Sequence, residues 1–306
     1  MIDSLFGAVQ SGLIYALMAL GVYITFRILD FPDLTADGSF TTGGAIGTVM
    51  IAHGYSPWLS IIAAFAGGAL AGACTGLLHT KGKINGLLSG ILMMIALYSI
   101  NMRILGSPNV SILDQDTLFT FMSPWILIPV MVLFIKLAMD AFLHTDLGLA
   151  LRATGDNAKM IRSFGANTDT TTILGIALSN GLVALSGALI SQQTGFADIT
   201  SGIGIIVIGL ASVIIGEAIL GARTVFWATL SVIVGSVVYR IVVALALRVE
   251  FLEVSDIKII TAAIVILALV IPSARRATRQ KRLAQRRSRE LSVAPSKPSV
   301  GGTADA

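Results

Sequence analysis

FPDLTADGS, Phe31 to Ser39, lies between two long apolar stretches. Two carboxylates, a proline and a glycine break chain that is otherwise fit to span a bilayer. An isolated Asp near mid-bilayer costs about 2.5–3.5 kcal/mol on insertion scales. It is tolerable where it caps a broken helix or lines a wet cavity. A related string, FADITSGIG, occupies 196–204, so Phe-x-Asp-(Leu/Ile)-Thr occurs twice, 165 positions apart.

Composition sets the solvent. Of 306 residues, 55% are hydrophobic and 12% charged, against about 25% charged in a soluble domain. Such a chain needs lipid. Spans of roughly 20 apolar residues give an all-α polytopic membrane protein with about nine crossings, eight to ten. They are expected near 4–26, 39–53, 57–80, 84–104, 123–143, 171–192, 203–220, 225–247 and 257–272. They must be helices, because lipid offers no partner to a free peptide group. The first apolar run is long enough to span, and Met1-Ile2-Asp3 lacks the basic start of a cleavable signal. The membrane-embedded body is 1–272, and 273–306 is a basic tail ending in LSVAPSKPSVGGTADA, which cannot bury a core and is expected to be disordered.

Basic residues orient the chain. The tail carries Arg275, Arg276, Arg279, Lys281, Arg282, Arg286, Arg287, Arg289 and Lys297 and is expected to be cytoplasmic. Alternating backwards puts Arg223, the 144–170 connection, Lys81, Lys83 and Arg27 on the same side, and Asp114, Asp116, Asp198, Glu250, Glu253 and Asp256 on the other. Nine crossings put the N-terminus outside. The basic run has no aromatic interleaving, so it reads as an anchor on anionic lipid and not as a nucleic-acid patch.

The first Phe-x-Asp-x-Thr follows span one and the second follows span six. Five crossings separate them, so the two halves would enter the membrane with opposite sense, as in inverted-repeat transporters. Asp33 and Asp37 can cap a helix starting near Ser39, and Thr35 and Thr200 can satisfy freed backbone groups. The plain alternative is chance recurrence, since Pro-Asp and Asp-Gly are ordinary turn formers. Candidate residues for a solute path are Asp33, Thr35, Asp37, Ser39, Asn180, Asp198 and Thr200.

The connection HTDLGLALRATGDNAKMIRSFGANTD, 144–169, is too long and patterned for a turn. Asp156 is placed to cap a short helix over 157–164, closed by Gly165. Met160, Ile161 and Phe164 share its apolar face, which suits a groove on a partner or lipid headgroups.

Other chemistry finds little footing. GLLHTKGK, Gly76 to Lys83, is the nearest string to a phosphate-binding loop and lacks the pattern. His53, His79 and His144 are scattered, and Cys74 is the lone cysteine, so neither a metal site nor a disulfide is expected. Cys74 is expected to be a small packed thiol. No nucleophile–base pair stands out, so an enzyme is not expected. Lys136 and Asp140, at i,i+4, are expected to pair. Glu217 and Arg240 leave open a rival reading, an ion-coupled secondary transporter. Ala64, Gly68, Gly72 and Gly76 form a small-residue ladder for close helix packing.

Three strings carry a family resemblance: GLIYALMALGVYITFRILDFPDLTADGSFTTGGA (12–45), ALRATGDNAKMIRSFGANTD (150–169) and SNGLVALSGALISQQTGFADITSGIGIIVIGLASVIIGEAI (179–219). They resemble permease subunits of ATP-binding-cassette importers, in the branched-chain amino acid and ribose permease class. Within it the chain is most similar to the subfamily linked to uptake of aromatic amino acids or related small solutes. The resemblance implies a type II importer-like fold with an inverted repeat and a second permease copy as homodimer partner. It also implies cytoplasmic ATPase subunits that bind the ATP, and an extracytoplasmic solute-binding protein. The protein itself would need no cofactor and would sit in a bacterial-type plasma membrane. Arg152–Gly165 matches the family's coupling loop, so Arg152, Asp156, Asn157, Met160, Ile161, Arg162, Phe164 and Gly165 are the expected ATPase contacts. One departure stands out: broad-class members often carry a His-bearing polar string where this chain has PDLTADGS.

Overall fold

The computed structural model describes residues 2–247 and, beyond them, Ile259, Ala262, Ala263 and Ile266, all four helical. The expected last span, 257–272, otherwise lies outside the described residues, as does the tail 273–306.

Helix α1 (Ile2–Val22) widens into a π-helical turn, Tyr23–Ile28. The register then releases: Leu29 N–H reaches Ile24 O at 3.0 Å and Phe31 N–H reaches Thr25 O at 2.9 Å. Asp30 makes a left-handed turn (φ +51°), and α2 (Thr35–Ala52) begins. Pro57 opens α3 (Pro57–Thr80), where its missing N–H costs nothing. Asn85 caps α4 (Gly86–Leu105) through Leu87 N–H at 2.9 Å. A short strand β1 (Asn109–Ser111) and the turn α5 (Leu118–Phe121) lead to α6 (Pro124–His144). Then come α7 (Asp146–Ser163), α8 (Thr168–Thr194), strand β2 (Phe196–Asp198), α9 (Ile205–Leu220) and α10 (Val225–Ala246). The strands pair antiparallel, Asn109 opposite Asp198 and Ser111 opposite Phe196.

Helix α8 is the hub, and its contacts define direction. Ser179 Oγ donates to Gly21 O at 2.7 Å, and Ser186 Oγ donates to Ile14 O at 2.9 Å. Numbers fall on α1 as they rise on α8, so the two run antiparallel. On α2 they rise together. Ser39 meets Asn180, Gly43 meets Ala184 and Gly47 meets Ala188. These contacts make α2 and α8 parallel. The small-residue ladder of α3 packs closely on another helix, as the spacing predicts, and that helix is α8. A Cβ added to Gly68 or Gly72 would lie 2.4 Å from the carbonyl oxygen of Asn180 or Ile176. Helix α10 meets α1 through Ser236 Oγ on Gly12 O at 2.8 Å.

Close approach is tightest at Gly43, where a Cβ would lie 1.8 Å from Ala184 O. Gly43→Val is expected to force α2 off α8, at a cost at or above the usual 1–3 kcal/mol for overpacking, roughly. Gly7→Ala, with nothing within 4 Å of the added carbon, is the control. A Gly43→Val protein that unfolds at the native temperature in detergent would refute this packing.

The fold is mostly helical, but three expectations change. Six helices are long and apolar enough to cross a bilayer among the described residues: Leu5–Ile28, Pro57–Thr80, Gly86–Leu105, Pro124–His144, Thr168–Thr194 and Val225–Ala246. The expected spans 39–53 and 203–220 correspond to α2, which is rich in Gly and Thr, and α9, which is short at 16 residues, and neither is among those six. Helix α2 also starts at Thr35, four residues before the expected boundary, because Asp33 holds its first N–H. Cys74 is exposed, not packed. It lies off the α3 face that carries the ladder.

Candidate functional site: a polar break between two helix starts

Asp33 is fully buried. Its Oδ1 accepts Thr35 N–H at 2.9 Å and its Oδ2 accepts Asn180 Nδ2 at 2.6 Å. Asn180 Oδ1 accepts Ser39 Oγ at 2.7 Å. Thr35 Oγ1 lies 2.8 Å from Thr75 Oγ1. One hydrogen-bonded network therefore ties the loop to α2, α3 and α8. No cation pairs with Asp33 among the described residues. Its charge faces the N-terminus of α2, where free amides and the helix dipole favour an anion.

Asp37 does something the sequence did not suggest. It lies inside α2 and caps α9 instead of its own helix. Its Oδ2 accepts Gly204 N–H at 2.8 Å and its Oδ1 accepts Ile206 N–H at 2.9 Å. Thr41 Oγ1 accepts Gly202 N–H at 3.1 Å. The first turns of α2 and α9 are thus clamped to each other. Their chain separation is large, and neither string alone announces the partner.

Asp198 repeats the local turn of Asp33: its Oδ1 accepts Thr200 N–H at 2.6 Å. The surroundings differ. Asp198 is half-buried and Thr200 exposed, beside the strand pair, and neither joins the Asp33 network. Of the seven expected path residues, Asp33, Thr35, Ser39 and Asn180 come together, Asp37 bridges to α9, and Asp198 and Thr200 stand apart.

A cavity of about 350 Å³ opens beside the clamp, lined by Asp37, Thr41, Met94, Tyr98, Asn101 and Ile203 among others. Thr75 and Asn101 were missed in the sequence. Asn101 is the single amide within an apolar helix, and that isolation was the available signal.

The connection after α6 is more continuous than its sequence implied. Helix α7 runs from Asp146 to Ser163 but breaks at Asn157, which is extended (φ −159°, ψ 87°). The cap of the second segment is Asn157, not Asp156: Asn157 Oδ1 accepts Met160 N–H at 3.0 Å. The side chain one position later is favoured because the kink turns it back over the new helix start. Gly165 takes the left-handed conformation (φ +86°) that ends the segment. Arg162 is tied down, with Nε on Thr168 Oγ1 at 2.5 Å and Nη2 on Asp169 at 3.1 Å. Arg152, Asp156 and Lys159 are exposed and Ile161 is half-buried. Met160 and Phe164 are 54% and 75% exposed. At the other end, a Cβ on Gly155 would lie 1.7 Å from Ile28 O, so α7 rests directly on the π-helical end of α1.

The charges inside spans are mostly matched. Lys136 pairs with Asp140, which also accepts Thr229 Oγ1 at 2.6 Å. Glu217 pairs with Arg27 at 2.8 Å. The Arg240 guanidinium lies 4.0 Å from the Tyr15 ring centre, and its Nε has no hydrogen-bond partner.

Long apolar helices around a buried polar break, with a capped helical element on one connection, describe a polytopic membrane protein. The chain belongs to the family described as branched-chain amino acid transport system / permease component, which matches residues 4–271. It is 44% identical over 265 residues to the tyrosine transport system permease protein of Clostridioides difficile (strain R20291), covering 86% of this chain and 90% of that one. It is 26% identical over 196 residues to the ribose import permease protein of Escherichia coli (strain K12), covering 61% of each. A solved structure described as an inward-facing metal-chelate type ABC transporter covers 86% of this chain and 82% of its own, at 19% identity and a TM-score of 0.47. The protein is thus a multi-pass membrane permease of the ATP-binding-cassette importer class.

Proposed function

We propose that this chain forms the membrane passage for an amino acid or related small solute, driven by ATP hydrolysis on separate cytoplasmic subunits. Two copies would pair, and a solute-binding protein would deliver cargo from outside. The observation that carries the reading is the second segment of α7. It is capped by Asn157, braced to α8 by Arg162, and presents Met160 and Phe164 outward. A surface element this well fixed, with apolar side chains pointing away from its own fold, suits a rigid docking contact. The 44% relative named for tyrosine favours an amino-acid solute.

The antiparallel pairing of α1 with α8 favours an inverted repeat. Each is followed by the same Asp–Thr turn and then by a short helix. With the basic connections taken as cytoplasmic, α1 would enter from outside, α8 from inside, and the C-terminus would be cytoplasmic. The ion-coupled alternative rested on Arg240, Glu217 and the interrupted segments, and Glu217 is engaged with Arg27.

The test is uptake into proteoliposomes holding this chain, the binding protein and labelled tyrosine, with and without the cognate ATPase. Accumulation is expected only with the ATPase and ATP. Equal accumulation without it would overturn the reading.

A further inference from the structure

We propose that the cavity bounded by α2, α4 and the 199–203 turn is a solute transit site that reads its solute by a protonated amine, and disfavours an acid that lacks one. The inference rests on the function proposed above and adds which end of the solute is read.

Its polar lining is Asp37 and Asn101, both offering acceptors, with the neutral hydroxyls of Thr41, Tyr98 and Ser99. Asp37 spends one lone pair of each oxygen on Gly204 and Ile206 N–H. A carboxylate has about four acceptor positions, so two remain. Asn101 is 1% exposed. Its Nδ2 donates to Gly38 O at 3.2 Å, while its Oδ1 has no hydrogen-bond partner. That donor bond fixes the amide: turning it over would set two acceptors face to face. A buried acceptor left unmade is costly, and a donor entering the cavity would satisfy it. No Lys, Arg or His lines the cavity among the described residues. The amides at the start of α9 are already taken, Gly204 and Ile206 by Asp37 and Ile205 and Val207 by backbone carbonyls. An anion entering here would meet a carboxylate and no countercharge. An ammonium would meet Asp37 and Asn101 together, with charge-assisted hydrogen bonds.

The rest of the wall is apolar. Met94, Ile95, Ile199 and Ile203 surround the space, and Tyr98 offers a ring face for an aromatic body. The volume, about 350 Å³, falls at the small end of ligand pockets. The chemistry fits a primary amine on a ring-sized apolar body, the amino end of an aromatic amino acid.

The test measures binding of labelled probes to the purified full chain in detergent. The probes are tyrosine, tyramine, which lacks the carboxylate, and 4-hydroxyphenylpropionate, which lacks the amine. Tyrosine and tyramine are expected to bind at least about tenfold more tightly than the acid. Asn101→Leu should erase most of that preference. It should leave the fold intact, because Gly38 O also accepts Thr42 Oγ1 at 2.9 Å. Ile203→Trp, from an exposed turn position, should fill the cavity and remove binding of all three. Equal affinity for amine and acid, or amine binding untouched by Ile203→Trp, would overturn the proposal. Co-purification of the ATPase is scored separately. Amine-selective binding without ATPase association would sink the importer reading and keep the site. ATPase association without amine selectivity would do the reverse.

Discussion

Leucine in place of Asp33 is expected to leave little stable protein. The carboxylate satisfies Thr35 N–H and Asn180 Nδ2 in a fully buried setting. Removing it orphans two donors at about 1–3 kcal/mol each. It also strips the first turn of α2 of its anion. Asn180 keeps its second Nδ2 bond, to Ile176 O at 3.0 Å, so its tie to Ser39 survives while the network loses its loop end. Asp33→Asn keeps an acceptor for Thr35 N–H but sets an amide against the amide of Asn180, and should fall between. Asp198→Leu makes the instructive contrast. The same turn is half-exposed there, water can replace the lost acceptor, and the effect should be under about 1 kcal/mol. Unfolding temperatures in detergent separate these cases. An Asp33→Leu protein as stable as the Asp198→Leu protein would show that the buried network does not hold the fold.

That pair of aspartates also marks how far the sequence could be read. The helix end at Gly165 was legible because a glycine acts on its own backbone. So was the ladder of α3, since small side chains at a four-residue spacing can only make one close face. The turn at Asp33 and Asp198 was legible as a local shape. Its surroundings were not, because burial depends on which helices close over it. Asp37 was misread for the same reason. Capping is a short-range habit, yet its partners, Gly204 and Ile206, are brought in by the packing of two halves. The break at Asn157 was placed one residue early, since Asp and Asn cap equally well and only the kink chooses. Arg162 looked like a contact for a partner. Its guanidinium instead binds Thr168 and Asp169, which folding brings back beside it. Asn101 carried a signal that was passed over: a lone amide in an apolar helix needs a partner, and here half of it has none.

Alanine in place of Phe164 is expected to abolish transport while leaving the permease folded. The ring is 75% exposed, so its own fold gains little from it, and the unfolding temperature should stay within about a degree. The segment that carries it is held from three sides. Asn157 caps it, Ser163 Oγ donates to Met160 O at 2.6 Å, and Arg162 fixes its end to α8. An aromatic anchor presented on such a rigid element commonly contributes 2 kcal/mol or more at an interface, roughly, or about thirtyfold in ATPase affinity. Arg162→Ala should weaken docking by loosening the segment, and rebuilding the brace with lysine should recover only part, because one ammonium cannot serve Thr168 and Asp169 as the planar fork does. Beyond docking lies transmission. Helix α7 touches Ile28 through Gly155, and Ile28 ends the π-turn that leads to Asp33. A push on Phe164 would therefore reach the start of α2 through packed backbone. ATPase co-purification and ATP-driven uptake, measured side by side, decide it. Both unchanged in Phe164→Ala would remove this face from the coupling contact. Docking lost with uptake retained would mean that the energy enters elsewhere.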